Sequence, residues 1–138
     1  MSFIARLRKY VGERRAAPRY ATRLEKSLTV YVSLSDPKLT GARLVGYTRD
    51  VSETGLGVVL PELRIAGRSV VHPERELRLM IGLPYEPVEM RAAAVRHVEL
   101  GEDEFDSGYL VGVQIREMSP ADRGRYMKYL RSLAVGDV

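Results

Sequence analysis

The chain contains no cysteine, which removes disulfide frameworks, thiolate metal sites and cysteine nucleophiles at once. Only two histidines, His72 and His97, can offer an imidazole. No carboxylate cluster accompanies either at metal-binding spacing, so both read as packed or solvated side chains. No apolar run approaches the roughly 18 residues of a membrane span, and the opening "MSFIARLRKYVG" lacks the apolar stretch of a secretory signal. These absences predict a cytoplasmic protein without a membrane span. There is also no P-loop and no Ser-His-Asp or Cys-His set, so the sequence reads as non-enzymatic and free of a resident cofactor. The acidic run at 102–106 has no regular ligand spacing and reads as a solvated turn, not a calcium site.

What is present is enough for one core. The chain has 138 residues, of which 45% are hydrophobic, and this fits one domain. Charge is unevenly placed. Residues 1–23 hold seven basic side chains against the single acid Glu13, a balance of +6, whereas the whole chain carries +4. The remainder therefore sums to −2, and the basicity belongs to the N-terminal arm. That pattern points to a local anion partner and away from a broadly basic nucleic-acid surface, so no DNA partner is expected.

Period-two alternation dominates the body. "SLTVYVSL" sends Leu28, Val30, Val32 and Leu34 to one face. "ARLVGYTRDVS" and "GLGVVL" are two further strands joined across Glu53-Thr54 as a hairpin-like corner. Residues 61–74 read as a long connection, with Pro61, Gly67 and Pro73. "ELRLMIGL" aligns Leu77, Leu79 and Ile81. "PVEMRAAAVRHVEL" aligns Val88, Met90, Ala92 and Ala94, whose small side chains suggest close approach of a facing element. "YLVGVQI" aligns Tyr109, Val111, Val113 and Ile115. Six antiparallel strands of this kind favour closure over an exposed flat face. The fold class is accordingly mainly β, a six-stranded antiparallel β-barrel with a C-terminal α-helix and a basic N-terminal arm. The helix starts at Ser119 as N-cap, with Pro120 in the first turn and Asp122 completing a capping pattern. Tyr126, Leu130 and Leu133 form its apolar stripe. Three parts follow in order: a basic amphipathic segment at 1–12, the barrel with its helix at 13–134, and a short tail at 135–138.

Two short stretches carry chemistry. In "RDVSETGLG", Asp50, Ser52 and Gly55 stand as D-x-S-x-x-G. Strand residues two apart point the same way, so Asp50 and Ser52 present their oxygens to one spot, and Gly55 permits a positive φ and close approach of a ligand. A carboxylate there can accept from the N1–H and exocyclic amine of guanine. The same residues also suit an ordinary turn. In "ERRAAPRY", Pro18 biases Ala17 towards extended backbone, so Arg15 and Arg19 fall on an extended or turning segment. A guanidinium fork there suits a phosphate, or guanine O6 and N7.

The order R-R-x-x-x-R (Arg14, Arg15, Arg19), then D-x-S-x-x-G (Asp50, Ser52, Gly55) at a strand corner, resembles the PilZ family over residues 13–134. That resemblance implies a six-stranded barrel and binding of the bacterial second messenger cyclic di-GMP. By it, Arg15 and Arg19 take phosphates and the outer edge of guanine, while Asp50, Ser52 and Gly55 take a guanine edge. Arg14, directly before R-x-x-x-R, implies two mutually intercalated ligand molecules instead of one. The function so implied is a ligand-gated, non-catalytic module acting on a downstream protein partner. The competing readings are a small barrel for single-stranded nucleic acid, which the near-neutral body disfavours, and a ligand-independent protein adaptor. Mutual repulsion in the arm further predicts that ligand draws residues 1–19 towards the barrel.

Overall fold

A computed structural model describes residues 19–21, 27–39, 41–101 and 107–134. The segment 1–12, Arg14, Arg15, the acidic run 102–106 and the tail 135–138 lie outside the described residues. The strands are β1 (Arg19–Ala21), β2 (Thr29–Leu34), β3 (Arg43–Ser52), β4 (Gly55–Leu60), β5 (Arg64–Ile65), β6 (Arg68–Ser69), β7 (Leu77–Gly82), β8 (Pro87–Glu99) and β9 (Tyr109–Glu117). A single helix follows among the described residues longer than one turn, α1 (Pro120–Ala134).

The expected closure is found. The sheet runs β1-β3-β2-β7-β8-β9-β4, and a further β3–β4 pairing joins its ends. Six strands thus form a closed antiparallel barrel, and short β1 lies beside the far end of β3. Closure leaves the ring without an open edge. The alternation of β2 and β7 places Leu28, Val30, Val32, Leu34, Leu77, Leu79 and Ile81 in the core. Val32, Leu79 and Met90 form one rung across three neighbouring strands.

The connection at 61–74 has more structure than expected. Arg64–Ile65 and Arg68–Ser69 pair as a small hairpin, turned by Ala66 (φ 50°) and Gly67 (φ 79°). Two successive left-handed residues make a type I′ turn, whose twist matches that of the flanking strands. Asn-Gly or Asp-Gly usually announces such a turn. Here the sequence is Ala-Gly, and the hairpin goes unsignalled. After it, Val71 bridges Ala94, and the His72 N–H donates to the Ala94 carbonyl at 2.9 Å. The end of this connection thus pairs with β8 at Ala94 through the backbone. Ala93 is buried as well.

Helix α1 caps as expected at its first residue. The Ser119 Oγ accepts from the Asp122 N–H at 3.1 Å. The carboxylate of Asp122 departs from the expected box. It accepts from the Glu89 N–H at 3.1 Å and from Arg125 at 2.7 Å, so it clips the helix to β8. Tyr126, Leu130 and Leu133 enter the barrel core together.

Candidate functional site

The site begins with an irregularity in β3. Leu44 and Val51 both belong to the core, yet they stand an odd number of positions apart along the strand. Strict alternation would send them to opposite faces. The register against β4 slips between Thr48 and Asp50, and this β-bulge at Arg49 resets the alternation. Its consequence is chemical. Beyond the bulge Val51 faces the core, so Asp50 and Ser52 take the other face. Without it, a carboxylate would stand inside the barrel, where a charge is costly.

Asp50 is 1% exposed and Ser52 0%, so both oxygen-bearing side chains are held in a sheltered place. The Thr48 hydroxyl accepts from the Leu28 N–H at 3.0 Å, tying β3 to the start of β2. Arg49 is buried too, its guanidinium 5.2 Å from the centre of the Tyr47 ring. Nothing in the sequence marks Arg49, because a bulge has no residue signature of its own.

Ser52 builds the corner. Its hydroxyl accepts from the Gly55 N–H at 3.1 Å and the Thr54 N–H at 3.3 Å, and it donates to the Gly55 carbonyl at 3.1 Å. The turn role and the spacing of D-x-S-x-x-G are therefore one device: the motif fixes the hairpin that carries Asp50. Gly55 differs from expectation. The left-handed glycines among the described residues are Gly41, Gly67 and Gly108, and Gly55 opens β4 with both backbone polar groups turned to Ser52. At the tip, the Thr54 carbonyl accepts from the Ile115 N–H at 2.9 Å. Glu53 and Arg123 form an ion pair at 3.6 Å. Both ends are about half exposed, so that pair contributes little.

Strand β1 brings the first motif to the second. Arg19 stands across from Ser52, Tyr20 from Val51, and Ala21 from Asp50. Tyr20 packs against the core, on the side of its partner Val51. Of the six residues singled out in sequence, Arg19, Asp50, Ser52 and Gly55 thus lie on three adjoining strands. Arg14 and Arg15 lie outside the described residues.

Helix α1 adds a residue that sequence reasoning assigned only to packing. The Tyr126 hydroxyl donates to the Ser52 carbonyl at 2.6 Å. Burial pushes this phenol far above its ordinary range, and the nearby Asp50 charge adds to the rise. Elsewhere, His72 Nδ1 accepts from the Glu74 N–H at 3.1 Å, and His97 meets the Tyr109 ring edge-on. No group of three or more acidic or imidazole side chains among the described residues is arranged to hold a metal. No described helix is long and apolar enough to cross a membrane.

Comparison with known proteins agrees with this fold. The PilZ domain of YcgR from Escherichia coli, solved with c-di-GMP, superposes with a TM-score of 0.63 at 17% identity, covering 88% of this chain and 92% of that one. The Bacillus subtilis inhibitor of motility, MotI, gives 0.64 at 18% identity, covering 91% and 53%. MrkH of K. pneumonia, solved in complex with c-di-GMP and described as a c-di-GMP-dependent transcription regulatory factor, gives 0.67 at 18%, covering 88% and 53%. This chain spans about half the length of the latter two. No curated protein sequence matches it. The sequence profile of the PilZ domain matches residues 13–132. With a closed six-stranded barrel, a C-terminal helix and this match over most of its length, the chain belongs to the PilZ domain family.

Proposed function

We propose that this protein is a non-catalytic receptor for cyclic di-GMP, which it binds between the basic arm and the β3–β4 hairpin. The observation that carries the reading is the β1–β3 ladder: two motifs about 30 residues apart in sequence meet as neighbouring strands, Arg19 opposite Ser52 and Ala21 opposite Asp50. Cross-strand neighbours share a face, so the Arg19 position falls on the side of Asp50 and Ser52. Family membership and c-di-GMP in the solved relatives YcgR and MrkH support the same ligand.

The chemistry follows from the residue types. The Asp50 carboxylate accepts from guanine N1–H and the exocyclic amine. Arg15 and Arg19 supply planar forks for phosphate oxygens or for O6 and N7. Ser52 and Gly55 hold the hairpin so that Asp50 is presented in a fixed attitude, and Gly55 keeps a bare backbone at the ligand. Arg14 supplies one more guanidinium, suited to stacking on an outer guanine of a second ligand molecule. Occupancy orders the arm against the barrel, and the altered surface is what a downstream protein partner reads.

Equilibrium binding of cyclic di-GMP to Arg19→Ala and Asp50→Ala tests the assignment. Each loses a charge-assisted hydrogen bond, about 1.5–3 kcal/mol, so affinity should drop about 10- to 150-fold. Wild-type affinity in both variants would refute the site.

A further inference from the structure

The hairpin that carries Asp50 is held from behind by a residue 74 positions further along the chain. Tyr126 is 0% exposed and the largest of the fully buried side chains among the described residues. Its ring sits in the barrel core beside Leu130 and Leu133, a job that phenylalanine would fill equally well. A buried hydroxyl is costly unless paired, and this one is spent on a single backbone oxygen, the carbonyl of Ser52, at 2.6 Å. Ser52 is thereby gripped three ways. Its hydroxyl is committed to Thr54 and Gly55, its backbone lies in the ladder opposite Arg19, and its carbonyl is committed to α1. Asp50, two residues earlier, lies close enough for its charge to act on the phenol.

We infer that Tyr126 is a positioning residue for the dinucleotide: its hydroxyl fixes the Ser52 carbonyl, and with it the angle at which Asp50 meets a guanine edge, so that this one bond from α1, and not the general packing of the helix, is coupled to occupancy of the site. The inference rests on the reading of Asp50 and Ser52 as part of a cyclic di-GMP site. Coupling of this kind is reciprocal. If loosening the Ser52 carbonyl weakens binding, then binding must tighten the hold of α1 on the hairpin.

Tyr126→Phe removes the hydroxyl and keeps the ring. Leu130→Ala, one turn on, weakens the same buried face but leaves the Tyr126–Ser52 hydrogen bond in place, and serves as the packing control. Calorimetric titration of both variants, well below their melting temperatures, should use cyclic di-GMP and cyclic di-AMP as probes. Tyr126→Phe should bind cyclic di-GMP about 3- to 10-fold more weakly, the scale of one lost hydrogen bond. Its preference over cyclic di-AMP should shrink with it. Leu130→Ala should melt earlier and bind as wild type does. The inference is overturned if Tyr126→Phe keeps wild-type affinity and selectivity, or if Leu130→Ala loses affinity to the same degree. Should Asp50→Ala bind as tightly as wild type, the underlying site reading fails and carries this inference down with it. With Asp50→Ala impaired and Tyr126→Phe unchanged, the positioning role alone fails. Hydrogen exchange on the wild-type chain gives a second test that needs no folded variant. Cyclic di-GMP should raise protection at Thr54, Gly55 and residues 126–130 together, and protection at the hairpin alone would refute the coupling.

Discussion

On the proposed reading, Asp50 decides which nucleobase the site accepts. Its carboxylate has acceptors only, and it is almost wholly sheltered from solvent. Guanine offers it two donors, N1–H and the exocyclic amine, whereas adenine turns an acceptor nitrogen towards the same spot. A mismatched polar edge in a sheltered site leaves groups unpaired on both sides. Cyclic di-AMP should therefore bind at least about 100-fold more weakly than cyclic di-GMP. Parallel titrations in one buffer check this, and equal affinities would count against direct readout by Asp50. A second residue acts through shape alone. A Cβ on Gly46 would run into the carbonyl of Val59 and the side chain of Leu60, at the seam where β3 meets β4. Gly46→Ala should destabilise the fold by about 1–3 kcal/mol, as overpacking does, and urea denaturation measures it directly.

At the scale of elements, α1 offers two opposite tests. Gly124 has open space where a Cβ would go, and its place in the helix needs no special backbone. Gly124→Ala should stabilise the protein by about 1 kcal/mol, seen as a higher urea midpoint at unchanged slope. Tyr126 makes the helix sensitive to alkali. Its phenol is raised above the ordinary value of 10.0 by burial, so above that pH the unfolded chain releases a proton that the native state keeps. Its contribution is complete below about pH 10 and fades as pH rises further, by up to about 1.4 kcal/mol per pH unit. Tyr129 shifts in the same direction. Stability of Tyr126→Phe should fall less steeply than wild type between pH 10 and 12, and parallel slopes would contradict the account.

These elements also show what was legible in advance. The helix stripe and the alternation of β2 and β7 were readable because burial of one face dictates a simple period. The bulge at Arg49 was not, since Thr48, Arg49 and Asp50 are polar and carry no period to interrupt. Nor was the turn at Ala66, where the tertiary fold imposes a left-handed alanine. The motif residues of the site could be named from their spacing. That Ser52 would be joined to Tyr126 could not, because only the closed barrel brings α1 to the end of β3.

For the whole molecule, charge separation sets the expected behaviour. The first 23 residues carry +6 in a chain of +4, so on the proposed reading a ligand bearing two phosphates would offset the mutual repulsion of these residues. Amide exchange of residues 6–19 should slow on addition of cyclic di-GMP, and unchanged protection with ligand bound would move the signalling output to α1. The central claim is that this barrel is a cyclic di-GMP receptor whose site joins the R-R-x-x-x-R arm to the D-x-S-x-x-G hairpin. Titration calorimetry of the full chain with cyclic di-GMP tests it most directly. Saturable binding is predicted, with two ligands per chain as the count that Arg14 implies, and with the heat strongly reduced in Asp50→Ala. A flat titration for the wild-type chain, or an undiminished one for Asp50→Ala, would contradict it.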